Sequence, residues 1–167
     1  MHNNPYGEFT PNFPLTRGMF VTCLGRLAGV EGDAASTGYH DLSADHYAAP
    51  YAAWAKEADI MRGLPDGRFA PDAPITRQEL ATVLSRYAAL CGAESGDTGA
   101  PVYHDQAAIA DWAKDGVALC GQLGLLVGSN GTFSPTDTAT RAMGAVILQR
   151  LNEADLRPQP VENGSNI

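Results

Sequence analysis

The 167 residues, 44% hydrophobic and 18% charged, are enough for one domain with a real core and too apolar for a disordered chain. The formal net charge of −8 argues against a nucleic-acid partner, since phosphate binding needs a basic footprint, although one or two arginines in a groove could still bind a carboxylate. No apolar run is long enough to insert into a membrane, and Met1-His2-Asn3-Asn4-Pro5 lacks the basic start and apolar core of a signal peptide.

Residues 1 to 5 read as a loose terminus and Tyr6-Gly7 as a turn. Phe9 and Pro11 then lead to Thr16, a good N-cap. Phe20, Cys23, Leu24 and Leu27 recur at helical spacing, and the helix they predict ends near Gly29. The Gly32 to Gly38 stretch is small and polar, hence a loop. Tyr39-His40-Asp41 opens the next unit, in which Asp45 is expected to cap a helix from about His46 to Asp59, with Pro50 in its first turn. Gly63 stops that helix, and Pro65-Asp66-Gly67 is a turn. Thr76 with Glu79 three residues on forms a capping box for a helix bearing Leu80, Val83, Leu84 and Tyr87.

A Gly/Ser/Asp linker from Gly92 to Ala100 precedes a second Tyr-His-Asp, Tyr103-His104-Asp105. A helix from about Ile109 to Leu123 is expected next, carrying Trp112 and punctuated by Gly124 and Gly128. Asn130-Gly131 is a tight turn, and Thr140 caps a last helix that buries Ile147, Leu148 and Leu151. Residues 153–167 read as a polar tail or linker. The three cysteines, Cys23, Cys91 and Cys120, are odd in number and lack metal-ligand spacing, so they are expected to be buried free thiols, with no metal and no cofactor.

One plan recurs three times. Phe9, Phe69 and Phe133 correspond; so do Pro11, Pro71 and Pro135, and Arg17, Arg77 and Arg141. The copies are 60 and 64 residues apart, which marks one supersecondary unit used three times. The units span about 1–31, 38–92 and 102–152 within one domain, 1–152. The first begins midway through the repeat, so the chain is expected to be a piece of a longer protein. Equivalent apolar faces that cannot be buried alone are expected to bury one another, giving an all-α fold with three helix-loop-helix repeats around a central three-helix bundle in a pseudo-threefold arrangement.

Leu64-Pro-Asp-Gly-Arg-Phe-Ala-Pro followed by Ile75-Thr-Arg-Gln-Glu-Leu resembles the surface-layer homology (SLH) domain, over about residues 6 to 152. The resemblance implies a non-catalytic module, extracellular and on the cell wall, mostly of Gram-positive bacteria. It would bind a secondary cell-wall polysaccharide, bearing pyruvylated N-acetylmannosamine, in inter-repeat grooves. Carried over by position, the motif arginines are Arg17, Arg77 and Arg141. The groove aspartates are Asp41 and Asp105, and the glycines Gly63 and Gly128. A guanidinium fork matches a ketal carboxylate, and an arginine in a first helical turn adds the helix dipole and free N–H groups. Trp54 or Trp112 could cover a sugar face.

The motif glutamate is kept only as Glu79, with Met19 and Met143 at the equivalent places. Arg26, Arg86 and Arg150, near the helix ends, read as structural. Neighbouring His and Asp residues seldom face one point, and no nucleophile accompanies them, so catalysis is not expected. The rival reading is a protein-interaction or assembly module, with other surface-layer proteins as partners.

Overall fold

The computed structural model describes residues 8–33, 36–95 and 99–158. The turn at Tyr6-Gly7 and most of the expected tail lie outside them. Among the described residues the chain is all-α, as the sequence predicts: five helices and no strand beyond isolated bridges. They are α1 (Arg17–Leu27), α2 (Ala49–Glu57), α3 (Arg77–Leu90), α4 (Lys114–Gln122) and α5 (Arg141–Glu153).

The motif helices α1, α3 and α5 start alike. Thr16, Thr76 and Thr140 are extended, and each hydroxyl accepts the N–H of the third helical residue. Such a cap contributes about 1 kcal/mol. Only α3 closes the full box, with Glu79 accepting from the Thr76 N–H at 2.8 Å.

The residue before each threonine sets the architecture. The Leu15 N–H donates to Ala139 O at 2.8 Å, the Ala139 N–H to Ile75 O at 2.9 Å, and the Ile75 N–H to Leu15 O at 2.9 Å. The three units are thereby joined in a closed cycle, with Leu15, Ile75 and Ala139 fully buried. A second tier runs the same way: the Arg17 N–H donates to Ala73 O, Arg77 to Asp137 O and Arg141 to Phe13 O, each at 2.9 Å. Helix packing is less regular. α1 lies against α2 and α5, and α3 against α4, so a pseudo-threefold arrangement of whole repeats is a further step beyond the hydrogen-bonded cycle.

Two elements differ from expectation. α2 begins at Ala49, not His46, and Asp45 does not cap it: its N-cap is Ala48, with no side-chain bond. Pro50 explains the delay: a helix starting at His46 would need an N–H from Pro50 to the His46 carbonyl, which proline lacks, whereas at the first helical positions no such donor is needed. The segment expected as a helix from Ile109 starts instead with short 3-10 turns, Gln106–Ala108 and Asp111–Ala113. Ile109 and Ala110 are extended between them, so α4 proper begins at Lys114.

Close packing of the outer helices relies on small residues. Gly25 of α1 lies under the Tyr51 ring, and Gly116 of α4 lies against Ala81 and Thr82 of α3. The Cys120 thiol is buried and donates to Ala81 O; its burial pushes the pKa up to about 12. Cys23 and Cys91 are half-buried, and none of the three cysteines is in a disulfide. Beyond α5, Leu156 packs on the core and its carbonyl accepts the Tyr87 hydroxyl at 3.0 Å.

Candidate functional site

The site is built around the motif arginines. All three are buried, with Arg17 6%, Arg77 8% and Arg141 4% exposed. Each reaches into the following unit, not its own. Arg17 Nε donates to Phe69 O at 2.8 Å and its guanidinium lies over the Phe69 ring. Arg77 Nε donates to Phe133 O at 2.7 Å and lies over the Phe133 ring. Arg141 closes the cycle over the Phe9 ring, with Nη1 donating to Thr10 Oγ1 at 3.1 Å. Burial holds the Arg17 and Arg77 pKa values below the usual arginine value, against the pull of nearby acids.

The helix starts themselves are closed to a ligand. The first two N–H groups of each motif helix donate to the neighbouring unit's loop, and the third donates to the cap threonine. The expected free N–H groups are therefore absent. The inter-unit bonds consume the donors that an isolated helix would leave open.

Asp41 and Asp105 turn out to shape the turns. Asp41 accepts from the Phe69 and Ala70 N–H groups, both at 2.8 Å. Asp105 accepts from Phe133 at 2.8 Å and Ser134 at 2.7 Å. Ala70 and Ser134 hold positive φ, 55° and 56°, so each carboxylate anchors a strained corner. Some burial pushes the Asp41 carboxyl up, but the Phe69 and Ala70 amides outweigh it and hold the pKa below the ordinary value. The Phe133 amide leads in doing the same for Asp105.

The rest of each Tyr-His-Asp completes this clasp. The His40 N–H donates to Gly67 O at 3.3 Å and the His104 N–H to Gly131 O at 2.7 Å. Tyr39 stacks tilted on Phe69 and Tyr103 on Phe133, each at 5.3 Å between centroids. Gly63 and Gly128 lie under those tyrosines. A Cβ on either would lie 2.5 Å from the Cε1 atom of Tyr39 or Tyr103. In this sequence Tyr-His-Asp precedes the second and third turns, which face Arg17 and Arg77. The unit-one turn, facing Arg141, has none. The clasp is thus present at the junctions of Arg17 and Arg77.

Two junctions open as equivalent clefts. The first, about 410 Å³, is lined by Arg17, Gly63, Glu79, Thr82, Arg86 and Trp112, among others. Three expected site residues from three units meet there. Trp112 is 58% exposed, whereas Trp54 is half-buried and meets Tyr87 edge-on at 6.4 Å. The second cleft, about 300 Å³, is lined by Arg77, Val127, Met143, Val146, Ile147 and Arg150, among others. A polar extension of about 380 Å³ shares Arg77, Val127 and Met143 with it and adds Ser129, Thr132, Ser134 and Asp137. Asp41, Asp105, Gly128 and Arg141 do not line these three spaces.

Sequence reasoning missed the residues one helical turn along. Arg86 Nη1 donates to Ile60 O and Arg150 Nη1 to Leu125 O, so these arginines tie the motif helix to the segment before the turn instead of serving their own helix ends. Stepping from Glu79 and Met143 by three, four and seven residues would have found Thr82/Val146, Val83/Ile147 and Arg86/Arg150. Among the described residues no group of three or more His, Cys, Asp or Glu side chains is placed to hold a metal ion. No described helix is long and apolar enough to cross a membrane.

Buried arginines bridging repeated units, with clefts at the junctions, define a repeat-built binding module. The S-layer homology domain profile matches residues 38–81 and 102–142, and the chain belongs to that family. It is 35% identical over 87% of its length to an amylopullulanase of Thermoanaerobacterium thermosulfurigenes, covering 8% of that protein. It is 28% identical over 87% of its length to a cellulosome-anchoring protein of Acetivibrio thermocellus, covering 34% of it. To the S-layer protein sap of Bacillus anthracis it is 26% identical over 90% of its length, covering 18%. The chain therefore spans a minor part of each of these relatives.

Proposed function

We propose that the chain is a non-catalytic module that holds a larger protein on the outside of a bacterial cell wall, by binding a pyruvylated secondary cell-wall polysaccharide in its inter-repeat clefts. One observation carries the reading: the same buried arginine crosses each junction, and two of the three line open clefts. A desolvated guanidinium in a cleft favours an anion, because a carboxylate offsets the cost of keeping the cation from water. Trp112 beside Arg17 offers an aromatic face suited to a sugar ring. Hydroxyls at Ser129, Thr132 and Ser134 beside Arg77 suit ring hydroxyls.

Family membership and the likeness to a cellulosome-anchoring protein support anchoring. Asp41, Asp105 and Gly128, which shape the turns of their own units, are supports of the clefts in this reading, and Gly63 also lines the first cleft. Arg141 lies at the third junction, over the Phe9 ring. The test is titration calorimetry with synthetic pyruvylated N-acetylmannosamine and the unpyruvylated sugar, beside co-sedimentation with purified walls. Heat with the pyruvylated sugar alone is expected. Wall binding that survives removal of the polysaccharide would overturn the reading and favour a protein partner.

A further inference from the structure

The stretch from Gln106 to Ala113 has the composition of a helix, yet it folds as two 3-10 turns ahead of α4. Ala107, Ala108, Ala110 and Ala113 are strong helix formers, and no proline lies between Val102 and Ser134. In unit two a comparable delay comes from Pro50, which has no N–H to give. Unit three reaches the same shape by another route. Gln78, the second residue of α3, accepts the Ala110 N–H on its Oε1 at 3.0 Å. A helix running from Gln106 would need that N–H for the Gln106 carbonyl. Ile109 and Ala110 stay extended instead, with ψ of 124° and 144°.

We infer that Gln78 is a positioning residue: by taking the Ala110 N–H it stops α4 from growing back to Gln106, and so holds the Trp112 ring at the Arg17 cleft as a wall for a sugar ring. For the sugar we rely on the carbohydrate-anchor reading. Ile109 and Ala113 are buried on either side of Trp112, which is itself exposed and lines the cleft. Among the described residues no hydrogen bond and no ring contact holds the indole. Its place is therefore set by the backbone beneath it. An extended residue spans about 3.3 Å and a helical one about 1.5 Å, so turning Ile109 and Ala110 helical would shorten the segment by about 4 Å. The ends cannot follow. Asp105 is held by the Phe133 and Ser134 amides, and Gly116 of α4 lies against Ala81 and Thr82. The Asp111–Ala113 turn, which bears Trp112, would have to take up the difference.

The neighbouring junction shows the alternative. Tyr47 and Trp112 each stand two residues ahead of their helix, α2 and α4 respectively. Where α3 has Gln78, α1 has Gly18, and the Tyr47 hydroxyl lies against it: a Cβ on Gly18 would be 2.9 Å from that oxygen. The aromatic side chain there lies down on the motif helix. At α3 the Gln78 side chain occupies the equivalent ground and ties the backbone at Ala110. Trp112 is kept off the helix start and meets Arg17, Glu79 and Thr82 across the cleft.

The test uses the full chain with 15N-labelled indoles and 13C-labelled Cα atoms, Trp112→Phe assigning the indole signals. Gln78→Met keeps the length of the side chain and removes the acceptor; Gln78 is half-buried and the Thr76 cap is untouched, so the variant folds. In the free protein it should move the Trp112 indole signal and turn the Ile109 and Ala110 Cα shifts helical. Adding Ala110→Pro should restore the Trp112 signal and the extended Ile109 shift. Proline suits the φ of −60° at Ala110, needs no acceptor and cannot continue a helix. The sugar probe is the methyl glycoside of pyruvylated N-acetylmannosamine. Gln78→Met should bind it about fivefold more weakly, within the worth of an aromatic contact, and the double variant should bind as the parent does. Unmoved Trp112 and Ala110 signals in Gln78→Met, with only a lower melting temperature, would overturn the inference and leave the anchor reading standing. A moved indole with unchanged affinity would do the same. Should the parent protein ignore the probe while Gln78→Met still moves Trp112, the anchor reading fails and the role in sugar binding falls with it.

Discussion

The guanidinium of Arg17 and the carboxylate of Glu79 meet across the junction of the first and second units, at 3.9 Å. Glu79 does two jobs. It accepts the Thr76 N–H and hydroxyl at the start of α3, and it faces the arginine of the neighbouring unit. Glu79→Ala should cost about 1–2 kcal/mol, the usual loss for a side-chain cap plus its reciprocal bond. Glu79→Gln, which can keep the cap, should cost less. Urea unfolding of the two variants checks the order; equal losses would assign the stabilisation to the ion pair instead of the cap.

Gly63 combines φ +78° with contact beneath Tyr39, where an added Cβ would also lie 2.9 Å from Arg68 O. Gly92 has nearly the same φ, +77°, but open space around it. Gly92→Ala should therefore show backbone strain alone, about 1–2 kcal/mol. Gly63→Ala should exceed it by at least about 1 kcal/mol, because the ring or the turn must move. Thermal denaturation of both variants measures the difference, and similar losses would mean that Tyr39 yields freely.

Asp41 and Asp105 have folded-state pKa values below their ordinary ones. A depressed carboxylate contributes stability above the unfolded value, about 3.9, and loses it as pH falls through the folded value. The melting temperature should thus decline as pH drops below about 4. The Asp41→Asn, Asp105→Asn double variant should melt lower at pH 7 and show a shallower acid slope. An unchanged slope would place the acid-labile groups elsewhere.

The repeat and the helix starts were legible because they are local. A cap threonine, an arginine one step inside the helix and a turn glycine act within a few residues, and three copies in register expose them. Asp45 shows the limit. Its residue type suits a cap, but Pro50 moved the helix start beyond its reach. Tyr-His-Asp shows another: a tripeptide that reads as chemistry is a clasp on a turn 28 residues away.

The sequence by itself determined an all-α chain of three like units with an arginine at each motif-helix start, since spacing and capping are written in neighbouring residues. Tertiary structure alone decided where those arginines go. Each helix start bonds to the loop of the following unit, so the arginine crosses the junction, the N–H groups close, and the aspartates are held by backbone amides. Which repeat supplies a partner is fixed by closing a cycle of three units, and that choice depends on contacts 52, 56 and 131 residues apart, which no local pattern records.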